Sequence, residues 1–358
     1  GCVFAGNQAR YIGGGISVGP FGDVSLHRAT IAWNQVTDTV IVEPDSQGGG
    51  GIAVAGVVST ATLSLRHCVV VGNIAVVGND MRCGDVSVVQ ASHCNIGDIY
   101  GTMHTSSNII SVDPMFADPA NGDFHLLYGS PCIDAGSTNT GASLDMDGES
   151  RPFGGAMDMG ADEFVDADSD NMADYWEVAS YGDISTTEGT EDTDGDALST
   201  FGEYMQQTDP HDSDSDSDLA QDGWEVAQGY DPKDRDMDDD GMWDGWEATH
   251  NLNAFTNDAS LNPDGDPHDN LSEFTADTDP NDATSHLKLL AIAPLWGGTR
   301  LDWQGGRDSY QWLESCSNLT SNDWRTIFVI PPPTPTNNAV IVFDARPTQF
   351  YRVRVERE

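Results

Sequence analysis

Oxygen-bearing side chains recur at fixed spacing between residues 162 and 285. The segment 236–247 reads D-x-D-x-D-G-x-x-D-x-x-E, with Asp236, Asp238, Asp240, Asp244 and Glu247 at positions 1, 3, 5, 9 and 12. Those positions, with a backbone carbonyl at position 7, are the oxygen set that a hard Ca²⁺ ion takes from a tight loop. Gly241 at position 6 permits the sharp turn. Four further segments share the frame: Asp166, Asp168, Asp170, Asp174 and Glu177; Asp192, Asp194, Asp196, Thr200 and Glu203; Asp214, Asp216, Asp218, Asp222 and Glu225; Asn262, Asp264, Asp266, Asn270 and Glu273. Successive loops start 26, 22, 22 and 26 residues apart. This is an internal repeat of one short unit per ion, with about five Ca²⁺ expected in all. A solvated, self-repelling acidic linker has the same composition, but it has no reason to keep five loops in frame with Glu at each end.

Four loops lack the glycine at position 6, where Asn171, Ala197, Leu219 and Pro267 stand instead. Asn tolerates a left-handed backbone, Ala and Leu do so poorly, and proline cannot adopt positive φ. The 236–247 loop is therefore expected to be the strongest, the 166–177 loop next and the 262–273 loop the weakest. Position 8, apolar in a paired helix-loop-helix hand, holds Ala173, Ser199, Gln221, Trp243 and Asp269. Segments before the loops, such as 208–213, are turn-like. The exits look helical, as in Trp176-Glu177-Val178-Ala179, Trp224-Glu225-Val226-Ala227 and Trp246-Glu247-Ala248-Thr249. In these D-x-D-x-D-G-x-x-D-G-W-E and T-D-P strings the region resembles the calcium repeats of thrombospondin type 3 and their bacterial relatives. The resemblance covers about a third of the chain and implies ion-filled loops in place of a conventional apolar core.

The elements around the loops differ in kind. Of 59 acidic residues, 37 lie in 162–285, and the formal charge of the 358-residue chain is −44. Without cations this stretch should expand by self-repulsion, and binding to a nucleic-acid backbone is not expected. Six cysteines allow 15 full pairings, and buried free thiols are an equal alternative. No membrane-spanning run is read in the sequence, and the want of a leader at residue 1 is uninformative. The chain begins inside a repeat, so it is expected to be the C-terminal part of a longer secreted protein.

Residues 1–112 carry a coarser repeat. Cys2-Val3-Phe4-Ala5-Gly6-Asn7 is echoed by Ala29-Thr30-Ile31-Ala32-Trp33-Asn34, by Cys68-Val69-Val70-Val71-Gly72-Asn73 and more weakly by 94–98. Glycine runs follow at 13–15 and 48–51, and alternating stretches at 24–27 and 62–65 precede two echoes. Short strands, a recurrent turn Asn and a period of 25 to 39 residues fit stacked coils with like residues above like. The F-x-x-N and G-G-G-I strings resemble the right-handed parallel β-helix coils of polymorphic outer-membrane and pectate-lyase-like proteins. A β-sandwich is the structural alternative.

Residues 113–165 contain Asp113-Pro114-Met115-Phe116, Ser130-Pro131-Cys132-Ile133-Asp134-Ala135-Gly136, Leu144-Asp145-Met146-Asp147-Gly148 and Asp158-Met159-Gly160-Ala161-Asp162-Glu163. This order resembles the end of bacterial surface proteins of the choice-of-anchor Q group, and implies a polar cap on the coils. Asp134, Asp145 and Asp147 are as well placed to form turns as to bind an ion. Residues 286–358 read as about five strands, near 301–303, 310–314, 324–329, 340–343 and 350–355. They suggest a small β-sandwich, with endings similar to C-terminal modules of secreted bacterial proteins.

The expected architecture is thus mainly β and multidomain. β-helix coils (1–112) and their cap (113–165) precede five calcium loops with short helices (166–285) and a β-sandwich module (286–358). The expected function is that of a secreted or cell-surface, adhesion-type structural protein with a calcium-stiffened stalk, extracellular polysaccharide or a cell-surface component being its partner. No catalytic constellation stands out. His27-Arg28 and Arg66-His67 flank equivalent strand ends and could adjoin. The rivals are the C-terminal part of a β-helix polysaccharide lyase or hydrolase, and a glycan-binding protein.

Overall fold

The computed structural model describes the chain except residues 39–47, 56–58, 139–142, 296, 321–322, 344–348 and 358. It is mainly β, with five short helices and both parallel and antiparallel sheets. The chain forms two compact units: residues 1–193 with 199–211, and residues 194–198 with 212–358. No helix among the described residues is long and apolar enough to cross a membrane.

The first unit is built on parallel pairing between segments distant in sequence. Cys2–Ala5 pairs with Ala29–Ala32, which pairs with Val69–Val71, which pairs with the end of the long strand Val88–Ile96. The start of that long strand pairs with Thr62–Arg66, and Thr62–Arg66 with Asp23–His27. Thr105–Ile110 pairs with it on its other side. A second parallel sheet joins Ile16–Val18, Ile52–Val54, Met81–Cys83 and Ile99–Tyr100. The echoes in the sequence are therefore in register. Ile31 stands opposite Phe4 and Val70, and Val70 opposite Ile96. Ile52 stands opposite Ile16 and Met81. These residues, with Leu63, Leu65 and Val89, form one apolar core. No segment could bury its inward side chains alone; alignment of like positions supplies the partner surface.

The turn asparagines close this stack. Asn7 N–H donates to Asn34 Oδ1, Asn34 N–H to Asn73 Oδ1, and Asn73 N–H to Asp80 Oδ1, each at 2.9 Å. The amide nitrogens of Asn34 and Asn73 donate to the Phe4 and Ile31 carbonyls. Asn34 and Asn73 are buried, so their amides satisfy backbone groups that water cannot reach. All six cysteines are free and five of them are buried.

Residues 113–165 are short antiparallel pairs held by buried charge. Arg151 is 1% exposed; its Nε donates to Glu163 Oε2 at 2.8 Å, and its other nitrogens donate to the carbonyls of Asp158, Gly160 and Ala161. Asp145 Oδ1 accepts the N–H groups of Asp147, Gly148 and Glu149, and Asp134 Oδ1 those of Gly155 and Ala156. Asp145 acts as a turn former, whereas Asp134 ties its segment to the distant backbone at 155–156. Phe116, Phe124, Leu126 and Phe164 join a core that extends to Trp176 and Tyr204.

Helices α1 (Asp174–Tyr181), α2 (Thr200–Gln206), α3 (Asp222–Gln228), α4 (Asp244–His250) and α5 (Asn270–Ala276) each begin at position 9 of a loop. Each ends on a left-handed residue, in turn Gly182, Gln207, Gly229, Asn251 and Asp277. That cap returns an N–H to the last carbonyls and stops the helix within about two turns. The two exits not read as helical in sequence, 200–206 and 270–276, follow the same rule.

Residues 288–356 form two antiparallel three-stranded sheets. One contains Lys288–Leu295, Gly298–Gln304 and Asn337–Val342; the other Arg325–Ile330, Tyr310–Cys316 and Phe350–Glu356. Leu301 and Trp303 from the first share a core with Leu313, Tyr351 and Val353 from the second. The strand Lys288–Leu295 is the one the sequence pattern does not mark. It contains Pro294 and is largely exposed at a sheet edge, where a missing N–H is tolerated.

Candidate metal centre

In three repeats the carboxylate at position 1 shapes the loop before any ion is considered, and in the last an amide oxygen takes part. Asp214 Oδ1 accepts the N–H of Asp218 and its Oδ2 that of Leu219; Asp236 does the same with Asp240 and Gly241. Asp166 accepts from Ser169, Asp170 and Asn171. In the last loop Asn262 Oδ1 accepts from Gly265. Position 5 then accepts the N–H of position 7 in all five loops: Asp170 from Met172, Asp196 from Leu198, Asp218 from Ala220, Asp240 from Met242 and Asp266 from His268. Such bonds fold the chain back so that several oxygens face one point.

The backbone requirement is regular. Position 4 has positive φ in every loop, at Ser169, Gly195, Ser217, Asp239 and Gly265. Position 6 has it in four, at Asn171 (79°), Ala197 (78°), Leu219 (88°) and Gly241 (93°). Ala197 and Leu219 thus take the conformation their side chains disfavour, at about 1–2 kcal/mol each. Only the Pro267 loop departs, with its left-handed turn confined to Gly265.

Carboxylate oxygens of Asp166, Asp168 and Asp170 lie within 4.8 Å of one another, as do those of Asp214, Asp216 and Asp218 and those of Asp236, Asp238 and Asp240. Position 9 closes three loops: Asp174, Asp222 and Asp244 accept the N–H of Ala167, Ser215 and Met237. The second loop is divided between the compact units, with Asp192, Thr200 and Glu203 in the first and Asp194 and Asp196 in the second. Thr200 donates its hydroxyl to the Glu191 carbonyl. In the last loop Asn270 donates to Asp258 and turns an unpartnered, buried Oδ1 the other way.

Position 12 is decisive. Glu177, Glu225 and Glu247 are 0% exposed, and none of their six carboxylate oxygens has a hydrogen-bond partner among the described residues. Glu273, 1% exposed, leaves Oε2 unpartnered. Asp170, Asp216, Asp238, Asp244 and Asp264 each leave Oδ2 buried and unpartnered. A buried carboxylate without a partner costs several kcal/mol. Burial, then the charges of Asp218 and Asp216, push Glu225 up to about 9. Burial, then Asp240 and Asp238, do the same to Glu247, also to about 9. Glu177 and Glu273 rise to about 8 for the same reasons. Carboxylates converging without donors are the donor set of a hard divalent cation, and the residues fit one.

Two glycines missed as functional in the sequence tie the repeats together. Gly223 N–H donates to Asp196 Oδ2 at 2.7 Å, and Gly245 N–H to Asp218 Oδ2 at 2.6 Å. Position 5 of one loop is thus bonded to position 10 of the next, leaving lone pairs on the carboxylate for an ion. A Cβ on Gly245 would lie 2.4 Å from Ala220 N, and one on Gly223 2.6 Å from Leu198 N. The D-G-W-E string is the visible sign of this close approach. Across the 26-residue step from 236 to 262, Asp240 Oδ2 accepts from Asp258 and Ala259 instead.

A different group lies in the first unit, where His125 is held at Nε2 by Asp147 (2.8 Å) and at Nδ1 by Asp123, with Asp162 adjoining and Tyr175 stacked on the ring at 3.8 Å. Burial lowers the imidazole, but Asp123, Asp162 and Asp147 outweigh it and raise His125 to about 9. It acts as an internal cation for its carboxylates. Comparison of the chain with protein-family models, with characterised proteins and with solved structures gives no match.

Proposed function

We propose that residues 166–285 are a calcium-stiffened spacer in a secreted or cell-surface structural protein of the adhesion type. On this reading the parallel strands of residues 1–112 are coils of a right-handed β-helix capped by 113–165. The two sheets of residues 288–356 are a terminal β-sandwich. The observation that carries the proposal is the burial of Glu177, Glu225 and Glu247 without a hydrogen-bond donor, each beside three aspartates in the same frame. Calcium suits the site because all its donors are oxygens and the loop offers six or more, counting the position-7 carbonyl and a bidentate Glu. Ion binding replaces repulsion with coordination, so its free energy becomes folding free energy for the repeats.

The test is a calorimetric calcium titration of the full chain, with the hydrodynamic radius followed in parallel. Saturable uptake of about five ions with compaction is expected. Weak, unsaturable uptake at constant radius would overturn the proposal.

A further inference from the structure

Cys2, Ala29, Cys68 and Cys94 share one column of the parallel sheet in the first unit. Arg28, His67 and His93 turn the chain through a corner with φ of 55°, 53° and 51°. The residues that follow, Ala29, Cys68 and Cys94, all enter the same apolar core. Register sets them side by side. Cys2 pairs with Ala29, and Val69 pairs with Thr30 on one side and Asn95 on the other, so Ala29 and Cys94 flank Cys68. Neighbouring strands lie roughly 4.8 Å apart. A disulfide spans roughly 4.4–6.8 Å between Cα atoms, so adjacent positions in this column are within its reach. Cys2 is two strands from Cys68 and falls outside it.

Contacts bring the two sulfurs together. Cys68 N–H donates to Cys94 Sγ at 3.4 Å, and a side-chain hydrogen bond joins the two thiols. Cys68 Sγ also lies against the carbonyls of Leu26 and Arg66, and Cys94 Sγ against that of Ser92. Both residues are 0% exposed. A thiol is a weak donor and a weak acceptor, so two of them buried face to face gain little as thiols. The remaining cysteines stand apart from this pair. Cys83 shares the core but belongs to the second parallel sheet, beside Val54. Cys132 belongs to the neighbouring core, where its sulfur accepts from Asn95 Nδ2. Cys316 lies in the second compact unit.

We propose that Cys68 and Cys94 are a disulfide-forming pair, which locks two neighbouring strands of the stack when the chain folds in the presence of a disulfide oxidant. The bond closes a loop between residues 26 apart in sequence and so restricts the unfolded chain. The hydrogen bond from Cys94 draws the Cys68 thiol below its ordinary value and raises that of Cys94, so Cys68 ionises first. Its thiolate attacks one sulfur of the oxidant's disulfide and releases the other as a thiol. Cys94 then loses its proton and attacks Cys68 in the mixed disulfide, expelling the second thiol. Two protein S–H bonds break and one S–S bond forms, while the oxidant's S–S bond is reduced to two thiols. Burial sets the timing: exchange takes place before the strands close over the pair, and the finished bond is then shielded from reductant. The pairing does not rest on the metal loops, so it and the calcium reading fail separately.

The experiment refolds the reduced full chain in calcium with a mixture of reduced and oxidised glutathione, then blocks free thiols under denaturing conditions. Cleavage before aspartate places Cys68, Cys83 and Cys94 in three separate peptides. Mass spectrometry should find the Cys68 and Cys94 peptides joined and Cys83 blocked. The oxidised chain should melt at least about 5 °C above the same chain refolded without oxidant. Cys94→Ala should abolish both the joined peptides and that difference, and Cys83→Ala should keep both. The joined peptides are sought in the parent chain, so the outcome does not hang on a variant that folds poorly. Cys68 and Cys94 both blocked at every oxidant ratio would overturn the proposal. So would Cys68 joined to Cys83, to Cys132, to glutathione or to a second chain, and a correct link with no shift in melting would overturn the lock.

Discussion

Glu225 and Glu247 each place a carboxylate in a dry site lined by other carboxylates. In the metal-free chain their folded pKa of about 9 lies above the ordinary Glu value of 4.5. The folded state therefore holds more protons than the unfolded state between those values, and its stability is full below about 4.5 and lost as pH rises towards 9. Calcium reverses the sign, because the ion requires the deprotonated form. Thermal melts in chelator should fall from pH 5 to pH 8, whereas melts in excess calcium should not, and calorimetry at pH 7 should detect proton release on binding. Glu247→Gln removes the charge at constant shape. It should raise the metal-free melting temperature and reduce the calcium stoichiometry by one. The grouping of the Asp triplets was legible in sequence because the same residue type recurs there at fixed spacing. The left-handed backbone at Ala197 and Leu219 was not, because local propensity opposes it and the hydrogen bonds from Asp214 and its equivalents override that preference.

Gly245 and Gly223 act between elements. Gly245→Ala would press a methyl group against the Ala220 backbone and should cost about 1–3 kcal/mol of calcium-loaded stability in denaturant unfolding. Gly241→Ala strains only its own φ and meets Leu271 at 3.4 Å, so the smaller loss is expected there. In the first unit, Asn73→Ala deletes side-chain bonds to Ile31, Val71, Asp80 and Asn34 within a buried turn, and should cost about 2–3 kcal/mol. The pairing of Cys2–Ala5 with Ala29–Ala32 and Val69–Val71 was readable as an echo, since stacking demands like above like. The His125 group and the edge strand at 288–295 were not. The first is assembled from residues far apart in sequence, and the second lacks alternation because both its faces are largely exposed.

At the scale of the whole chain, two kinds of cohesion coexist. The parallel core of the first unit rests on apolar columns such as Ile31, Val70 and Ile96. Residues 212–285 bury little beyond Met242, Trp246 and Phe274 and rely on their carboxylates. Scanning calorimetry should therefore show a transition insensitive to chelator and another that moves to much lower temperature. The bond from position 5 to position 10 sets a further rule. It spans 27 residues both times, Asp196 to Gly223 and Asp218 to Gly245, while the three loops it joins start 22 residues apart. The second and third loops thus each clasp their successor by the same two hooks. Duplicating or excising a whole 22-residue step leaves every clasp with a mate, whereas inserting one or two residues orphans a buried oxygen and an N–H together. The length of this three-loop stretch is consequently a counted quantity, adjustable in whole links like a chain and resistant to change by fractions of one.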